Sequence, residues 1–554
     1  MRIAIERDVA VRMSDGIRLY ADVYRPLGVV SSPTIVTRTP YHKETERFTV
    51  RARYFAEHGY AYVIQDVRGR GKSDGDFYPF FDEARDGYDT LTWAATQGWS
   101  NGKLGTIGAS YSAWTQWLTA PLRHPNLITM VSEASPPDFF QCLPYQGGVF
   151  ALPLLSWLAE LDRKDDAVPA SLDWNSLLMR RPLQNLDKAC GHDLRAWRDW
   201  LDHDRDDDYW AQLSFNRRMD AIDLPVFHIS GWFDDVLVGS LINYSQMAST
   251  TRAPQKLLIG PWPHRLNTTA TYGPIDFGPG GLVDLFGIQR EWFDRWLKDA
   301  IVEPCSAAPV TFFVMGENRW SRARQWPPPA VRMHKLYLSS GGQANTRLGD
   351  GRLESTTPPA DRHDYFVYDP AHPTPFVTQP GWIQLGGPDD YSEVELRADV
   401  LVYSTSPLDQ DLAITGPLTV CLFAASSACD TDFTARLLDV RPDGYAMRLN
   451  DGIVRARFRS SYSKPSLIAA DRIYEYSIDC WATSHVFRRG HRVRIEISSA
   501  CFPRFDPNLN TGLPIGTDET CIVATQKIHH GPRYPSHVVL PVVELTELMK
   551  TAGS

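Results

Sequence analysis

The chain has few cysteines and no long apolar run, and each shortage narrows its class. Eight cysteines among 554 residues stand at 142, 190, 305, 421, 429, 480, 501 and 521, with no CxxC pair and no dense cluster. That scatter excludes a disulfide framework, and the thiols are expected to be reduced packing residues. No run of about 18 apolar residues occurs, so no membrane-spanning helix is expected. The opening stretch MRIAIERDVAVRMSDGIRLY alternates like a strand and lacks the apolar centre of a secretion signal. A cytoplasmic location is the expectation. Positive charge is not in excess either: 57 Lys and Arg face 66 Asp and Glu, a formal net charge of −9. This balance argues against nucleic acid or an anionic membrane surface as partner. Fixed-period repeats and long low-complexity segments are also missing.

What is present reads as a chain too long for one core. Up to residue 139, short β-rich runs such as TIVTRTPY (34–41) and YAYVIQDVRG (60–69) alternate with segments of helical spacing. Strands separated by helices of this length imply βαβ crossovers and a mostly parallel sheet. Residues 140–218 read as helical, which suggests a cap or lid inserted into that domain. Sheet signals resume over 219–304, in LPVFHISGWFDD and QKLLIGPWPH, and the helix IQREWFDRWLKDA follows. From 305 to 554 the pattern is turn-separated alternation, the signature of an antiparallel sandwich or jelly roll.

Between strand GKLGTIGAS and helix SAWTQWLTAPLR lies Gly108-Ala109-Ser110-Tyr111-Ser112. A serine on a strand-to-helix turn needs small neighbours two residues to either side, and Gly108 and Ser112 supply them. Ser112 replaces the second glycine of GxSxG, so an ordinary small-residue turn remains the competing reading of the pentapeptide alone. Chain order adds weight. An α/β-hydrolase presents serine, acid and histidine in that order at strand ends; here Asp234 follows PVFHISGWF and His264 follows KLLIGPWP. Asp235 competes with Asp234 as the acid. His228, inside a buried strand, and His58, beside the glycine that ends a helix, compete with His264 and read as structural.

The segments GASYSAWTQW, SGWFDDV, GPWPH, TPYHK and QDVRGRGKSDGDF resemble the CocE/NonD hydrolases. That group includes bacterial cocaine esterase, glutaryl acylases and α-amino-acid ester hydrolases, and is related to the X-prolyl dipeptidyl peptidases. MSDGIRLYADVYRP and, toward the C-terminus, GHRVRIEISSACFPRFDPNLNTG extend the resemblance over nearly the whole chain. It implies an α/β-hydrolase domain with a helical lid insertion and a C-terminal all-β jelly-roll domain. By position it makes Ser110 the nucleophile, His264 the general base and acid, and Asp234 the residue that orients His264. The backbone N–H of Tyr111 and the phenol of Tyr41 become the oxyanion donors. The loop RTPYHK has no HGGG-type backbone donor set, which agrees with a side-chain donor.

Several features are set aside. DHDRDDDYW (202–210) lacks the glycine and terminal glutamate of a calcium loop, His529-His530 has no further ligand at metal spacing, and DVRGRG lacks the Lys-Ser/Thr of a phosphate loop. No metal or organic cofactor is indicated. Tyr145, Phe150, Leu154 and Trp157 in the lid are the candidate substrate contacts, and Asp235 with Asp138 the candidate carboxylates for an ammonium group. The expected partner is a small-molecule ester, with an amide (acylase activity) second and dipeptidyl-peptidase activity third. Acyl transfer to an alcohol or amine uses the same site, and self-association stays open. The alternative of another class is a ligand-binding protein with a dead hydrolase domain.

Overall fold

The computed structural model describes residues 1–140, 142–162, 172–300, 308–378 and 386–550. One sheet holds ten strands in the order Ile3–Arg12, Arg18–Pro26, Ala61–Asp66, Ser32–Thr39, Ser100–Ala109, Leu127–Glu133, Val226–Phe233, Gln255–Pro263, Val310–Val314 and Arg319–Ala323. The outermost pairings are antiparallel, and those from Ala61–Asp66 through Val310–Val314 are parallel. Parallel strands are covered on both faces. Accordingly Ser32–Thr39, Ala61–Asp66 and Val226–Phe233 are buried throughout, with no exposed residue in the alternation.

Helices supply the cover. Glu46–Glu57 and Leu285–Leu297 meet on one face, where Phe55 and Phe293 pack edge-on at 5.6 Å. Glu83–Thr96 and Tyr111–Thr119 lie together against the strand Ser100–Ala109. The segment from 140 to 218 carries short helices, among them Leu154–Asp162, Trp174–Leu178 and Arg195–Asp202. It also carries a small hairpin, Tyr145–Gln146 with Val149–Phe150, which sequence periodicity did not reveal because each arm is only two residues long.

Apart from the short pair Thr271–Tyr272 with Ile275–Asp276, the remaining strands form an all-β domain. Its eleven strands join in one ladder network, in which the long strand Leu412–Ser426 pairs with Tyr474–Phe487, Ala524–His530 and His537–Val543. The division read between 304 and 305, and Cys305 with it, lie outside the described residues. The first strands after that division, Val310–Val314 and Arg319–Ala323, continue the first sheet. Composition cannot show this, since alternating β residues look alike whichever sheet they join. Trp232 of the first sheet donates its indole N–H to the carbonyl of Phe313 at 2.7 Å. The apolar cluster around it runs on into Ile414, Val420 and Ile478. The seven cysteines among the described residues are free thiols. No described helix is long and apolar enough to cross a membrane.

Candidate active site

Ser110 is the single residue between the strand Ser100–Ala109 and the helix Tyr111–Thr119. Its backbone has φ 59° and ψ −120°, which a residue with a side chain adopts only when its surroundings enforce it. The enforcement is local. The Ser110 N–H is held by the carbonyls of Glu133 and Ala134 at 3.1 and 3.2 Å, and its carbonyl accepts from Ala113 and Trp114 at 2.9 and 3.1 Å. Gly108 makes the turn possible, since a Cβ there would lie 2.4 Å from Cβ of Ser112 and 2.8 Å from its carbonyl oxygen. Tyr111, first in the helix, has an N–H with no intrahelical acceptor. Its side chain points away and donates to Glu83 Oε1 at 2.7 Å.

The acid and the imidazole come from the ends of two paired strands. Asp234 follows Val226–Phe233 and His264 follows Gln255–Pro263, just past a slip in the register between the two. His264 Nδ1 donates to Asp234 Oδ1 at 2.8 Å. Asp234 is buried and well held: Oδ1 also accepts from the Val236 N–H at 3.1 Å, and Oδ2 from the Ser230 hydroxyl at 2.6 Å. Asp235 approaches the same nitrogen, its Oδ1 at 3.0 Å, yet that oxygen accepts no hydrogen bond among the described residues. Asp235 therefore acts on the imidazole by charge. Burial works against a charged imidazole, but Asp235 and Asp234 outweigh it and hold His264 well above the ordinary histidine pKa. Burial also opposes the Asp235 carboxylate, and His264 and Arg504 keep its pKa below the usual value nonetheless. The three groups lie close enough to serve as metal ligands; while Nδ1 keeps the hydrogen it donates to Asp234, that nitrogen has no lone pair for a metal.

A cavity of about 1490 Å³ opens over Ser110 and His264. Of the residues singled out from sequence, it brings together Tyr41, Ser110, Tyr111, Leu154, Trp157, Asp235 and His264. Tyr41 follows the strand Ser32–Thr39 by one proline. Its N–H donates to Thr39 Oγ1 at 3.1 Å and its carbonyl accepts from Thr45 Oγ1 at 2.6 Å. Its phenol accepts from Trp157 Nε1 at 3.0 Å and lines the same cavity as Ser110. Burial pushes this phenol up against the pull of Trp157, Arg47 and His264, so it is a protonated donor at neutral pH.

Tyr145 and Phe150 are a correction. They stand outside the cavity wall formed by the described residues, because the hairpin turns both rings into the interior of the cap. There Tyr145 Oη donates to the Trp200 carbonyl at 2.9 Å, and Phe150 packs edge-on against Trp197 at 5.1 Å. Asp138 is likewise elsewhere, accepting from the Ser214 hydroxyl and the Asn216 N–H, so it makes no cluster with Asp235. His228 is a core histidine, bonded to Gln255 at 3.1 Å, with burial lowering its pKa to about 4. His58 caps the helix Glu46–Glu57. Sequence reasoning missed Phe376, Val377, Thr378 and Pro503, which the all-β domain adds to the wall. Each sits in irregular chain, where no periodicity marks it.

A strained serine on a strand-to-helix turn, sharing its cavity with a carboxylate-bound imidazole, places the protein among the serine hydrolases. The chain belongs to the CocE/NonD family of that class. Residues 15–265 match the X-Pro dipeptidyl-peptidase (S15 family), and residues 306–539 match the X-Pro dipeptidyl-peptidase C-terminal non-catalytic domain. Cocaine esterase of Rhodococcus sp. (strain MB1 Bresler) is 34% identical, over 98% of this chain and 99% of that relative. An α-amino acid ester hydrolase structure is 27% identical with a TM-score of 0.87, covering 98% of this chain and 96% of its own. An aminopeptidase from a marine sediment Thaumarchaeota archaeon is 26% identical with the same TM-score and the same coverage.

Proposed function

We propose that the protein hydrolyses carboxylic esters of small molecules through an acyl-enzyme on Ser110. The observation that carries this reading is the 2.8 Å bond from His264 Nδ1 to Asp234 beside the strained Ser110. Asp234 accepts a hydrogen bond from Nδ1–H and so holds the proton on that nitrogen, which leaves the Nε2 lone pair of His264 to receive the Ser110 proton as Oγ attacks the carbonyl. The Tyr111 N–H and the Tyr41 phenol stabilise the negative oxygen that forms. His264 then protonates the leaving alcohol. Water, deprotonated by the same imidazole, releases the acid and restores Ser110. An amine or alcohol in place of water would give acyl transfer.

In the same reading residues 140–218 are a lid, and the all-β domain is a jelly roll that walls the cavity with Phe376 and Pro503. Amide cleavage is the second reading, supported by the likeness to an aminopeptidase structure. The two carboxylates suggested for the ammonium group of an α-amino acyl substrate have separate partners, Asp235 with His264 and Asp138 with Ser214, which counts against such a substrate, ester or amide alike. The test is a Ser110→Ala variant assayed on matched ester and amide pairs, alongside fluorophosphonate labelling of the parent. We expect labelling at Ser110 and a loss of more than 10³-fold in kcat on esters. A variant retaining more than about one-hundredth of the parent kcat removes Ser110 as nucleophile.

A further inference from the structure

Trp157 lines the cavity, and its position there suggests a substrate contact, but its polar atom is turned elsewhere. The indole N–H is committed to the Tyr41 oxygen at 3.0 Å. A phenol has one proton to give and lone pairs that accept. A donor fixed on one of those lone pairs orients the hydroxyl and leaves its proton to point away from the indole, toward the space shared with Ser110 and His264. The same bond draws electron density from the phenol and makes its O–H a stronger donor. The indole is itself immobilised. It packs in a triangle with Phe80 and Trp200, its ring centre 6.2 and 6.3 Å from theirs at interplanar angles of 12° and 19°, while theirs lie 6.3 Å apart. Its helix, Leu154–Asp162, buries Leu154, Leu155 and Leu158. On the other side of Tyr41 the Arg47 guanidinium sits 4.8 Å over the ring, so the phenol is fixed at its oxygen and over its face.

We infer that Trp157 is a positioning residue for the oxyanion site: its N–H bond sets the direction and strength of the Tyr41 hydroxyl, and so ties catalysis to the segment 140–218. This rests on Tyr41 being an oxyanion donor, as proposed above. Trp157 touches no reacting atom in this scheme and acts only through Tyr41.

The test is a double-mutant cycle of Trp157→Phe and Tyr41→Phe, read on phenyl acetate and by the affinity of phenylboronic acid, which forms a tetrahedral adduct on the serine. Trp157→Phe keeps an aromatic ring and deletes the donor. We expect it to lower kcat about 5- to 20-fold, in the range for one lost hydrogen bond, and to weaken the boronate by a similar factor with KM within about twofold. In the Tyr41→Phe background the same change should cost less than twofold. A similar loss in both backgrounds, or a lone Trp157→Phe variant with parental kcat, overturns the inference. Tyr41→Phe alone should cost about 10²–10³-fold in kcat. If it stays within threefold of the parent, the oxyanion reading itself fails, an outcome separate from failure of the cycle. Should Trp157→Phe not fold, benzothienylalanine at position 157 keeps the bicyclic shape with sulfur in place of N–H, and the same cycle is read on it.

Discussion

Two carboxylates converge on one ring nitrogen, and they are not equivalent. Asp234 accepts the hydrogen bond and is held by Ser230 and Val236, while Asp235 contributes charge from 3.0 Å. The imidazole must be neutral to take the serine proton, so kcat/KM rises with pH as His264 deprotonates. Because the two carboxylates raise that pKa, the rise falls well above the ordinary histidine range. Asp235→Asn removes one stabilising charge, lowers the pKa and moves the acidic limb to lower pH, with a plateau within about threefold of the parent. Asp234→Asn should instead cost roughly 10⁴-fold on the plateau, by favouring the wrong tautomer. Full pH–rate profiles of both variants check this, and the reverse ranking would move the orienting role to Asp235. The choice between these neighbours was legible in the sequence only as strand-end position. What separates them physically is that Asp234 forms the bond to Nδ1 and is itself held by Ser230 and Val236, and no pattern of residue types encodes that. Tyr145 and Phe150 show the same limit, since an aromatic side chain reads alike whether it fills a cap or faces a cavity.

Among the elements, the strand–Ser110–helix turn was legible because its cause is local: small residues at 108 and 112, an apolar strand before and a helix after. The hairpin at 145–150 was not, because what holds it is three hundred residues away. The Gly147 carbonyl accepts from the Arg455 N–H at 2.9 Å, and the Phe150 carbonyl accepts from the Asp506 N–H at 2.9 Å. Gly147 has φ +58°, and a Cβ there would come 1.9 Å from the carbonyl oxygen of Ile453. Backbone packed this closely against backbone cannot give way. Gly147→Ala should therefore lower stability by about 1–3 kcal/mol, the usual cost of overpacking, through partial release of the hairpin from the all-β domain. Urea unfolding measures it, and an unchanged midpoint would show that the hairpin shifts without strain.

For the whole molecule, the division of the chain into two matched regions is not a division of its packing. Residues after 305 complete the first sheet, share its apolar cluster and clasp the cap. A chain cut after Pro304 would expose the edge of Gln255–Pro263, a ready template for aggregation. Such a chain should be insoluble or inactive; a soluble, fully active product would show that the hydrolase part stands alone. Intact protein should unfold in a single calorimetric transition with coincident loss of activity, whereas two separated transitions would mark independent domains.

The cavity wall carries a consequence for laboratory evolution. Phe376, Val377, Thr378 and Pro503 face the same space as Ser110 while sitting far along the chain from it. Exchanging them alters the shape offered to substrate, and at Phe376, which lies under the Arg504 guanidinium at 5.1 Å, an exchange also reaches the group that holds the Asp235 charge. Libraries confined to residues 15–265 would vary only part of that shape. New substrate preferences are best sought by randomising these positions, which belong to the region matched as non-catalytic.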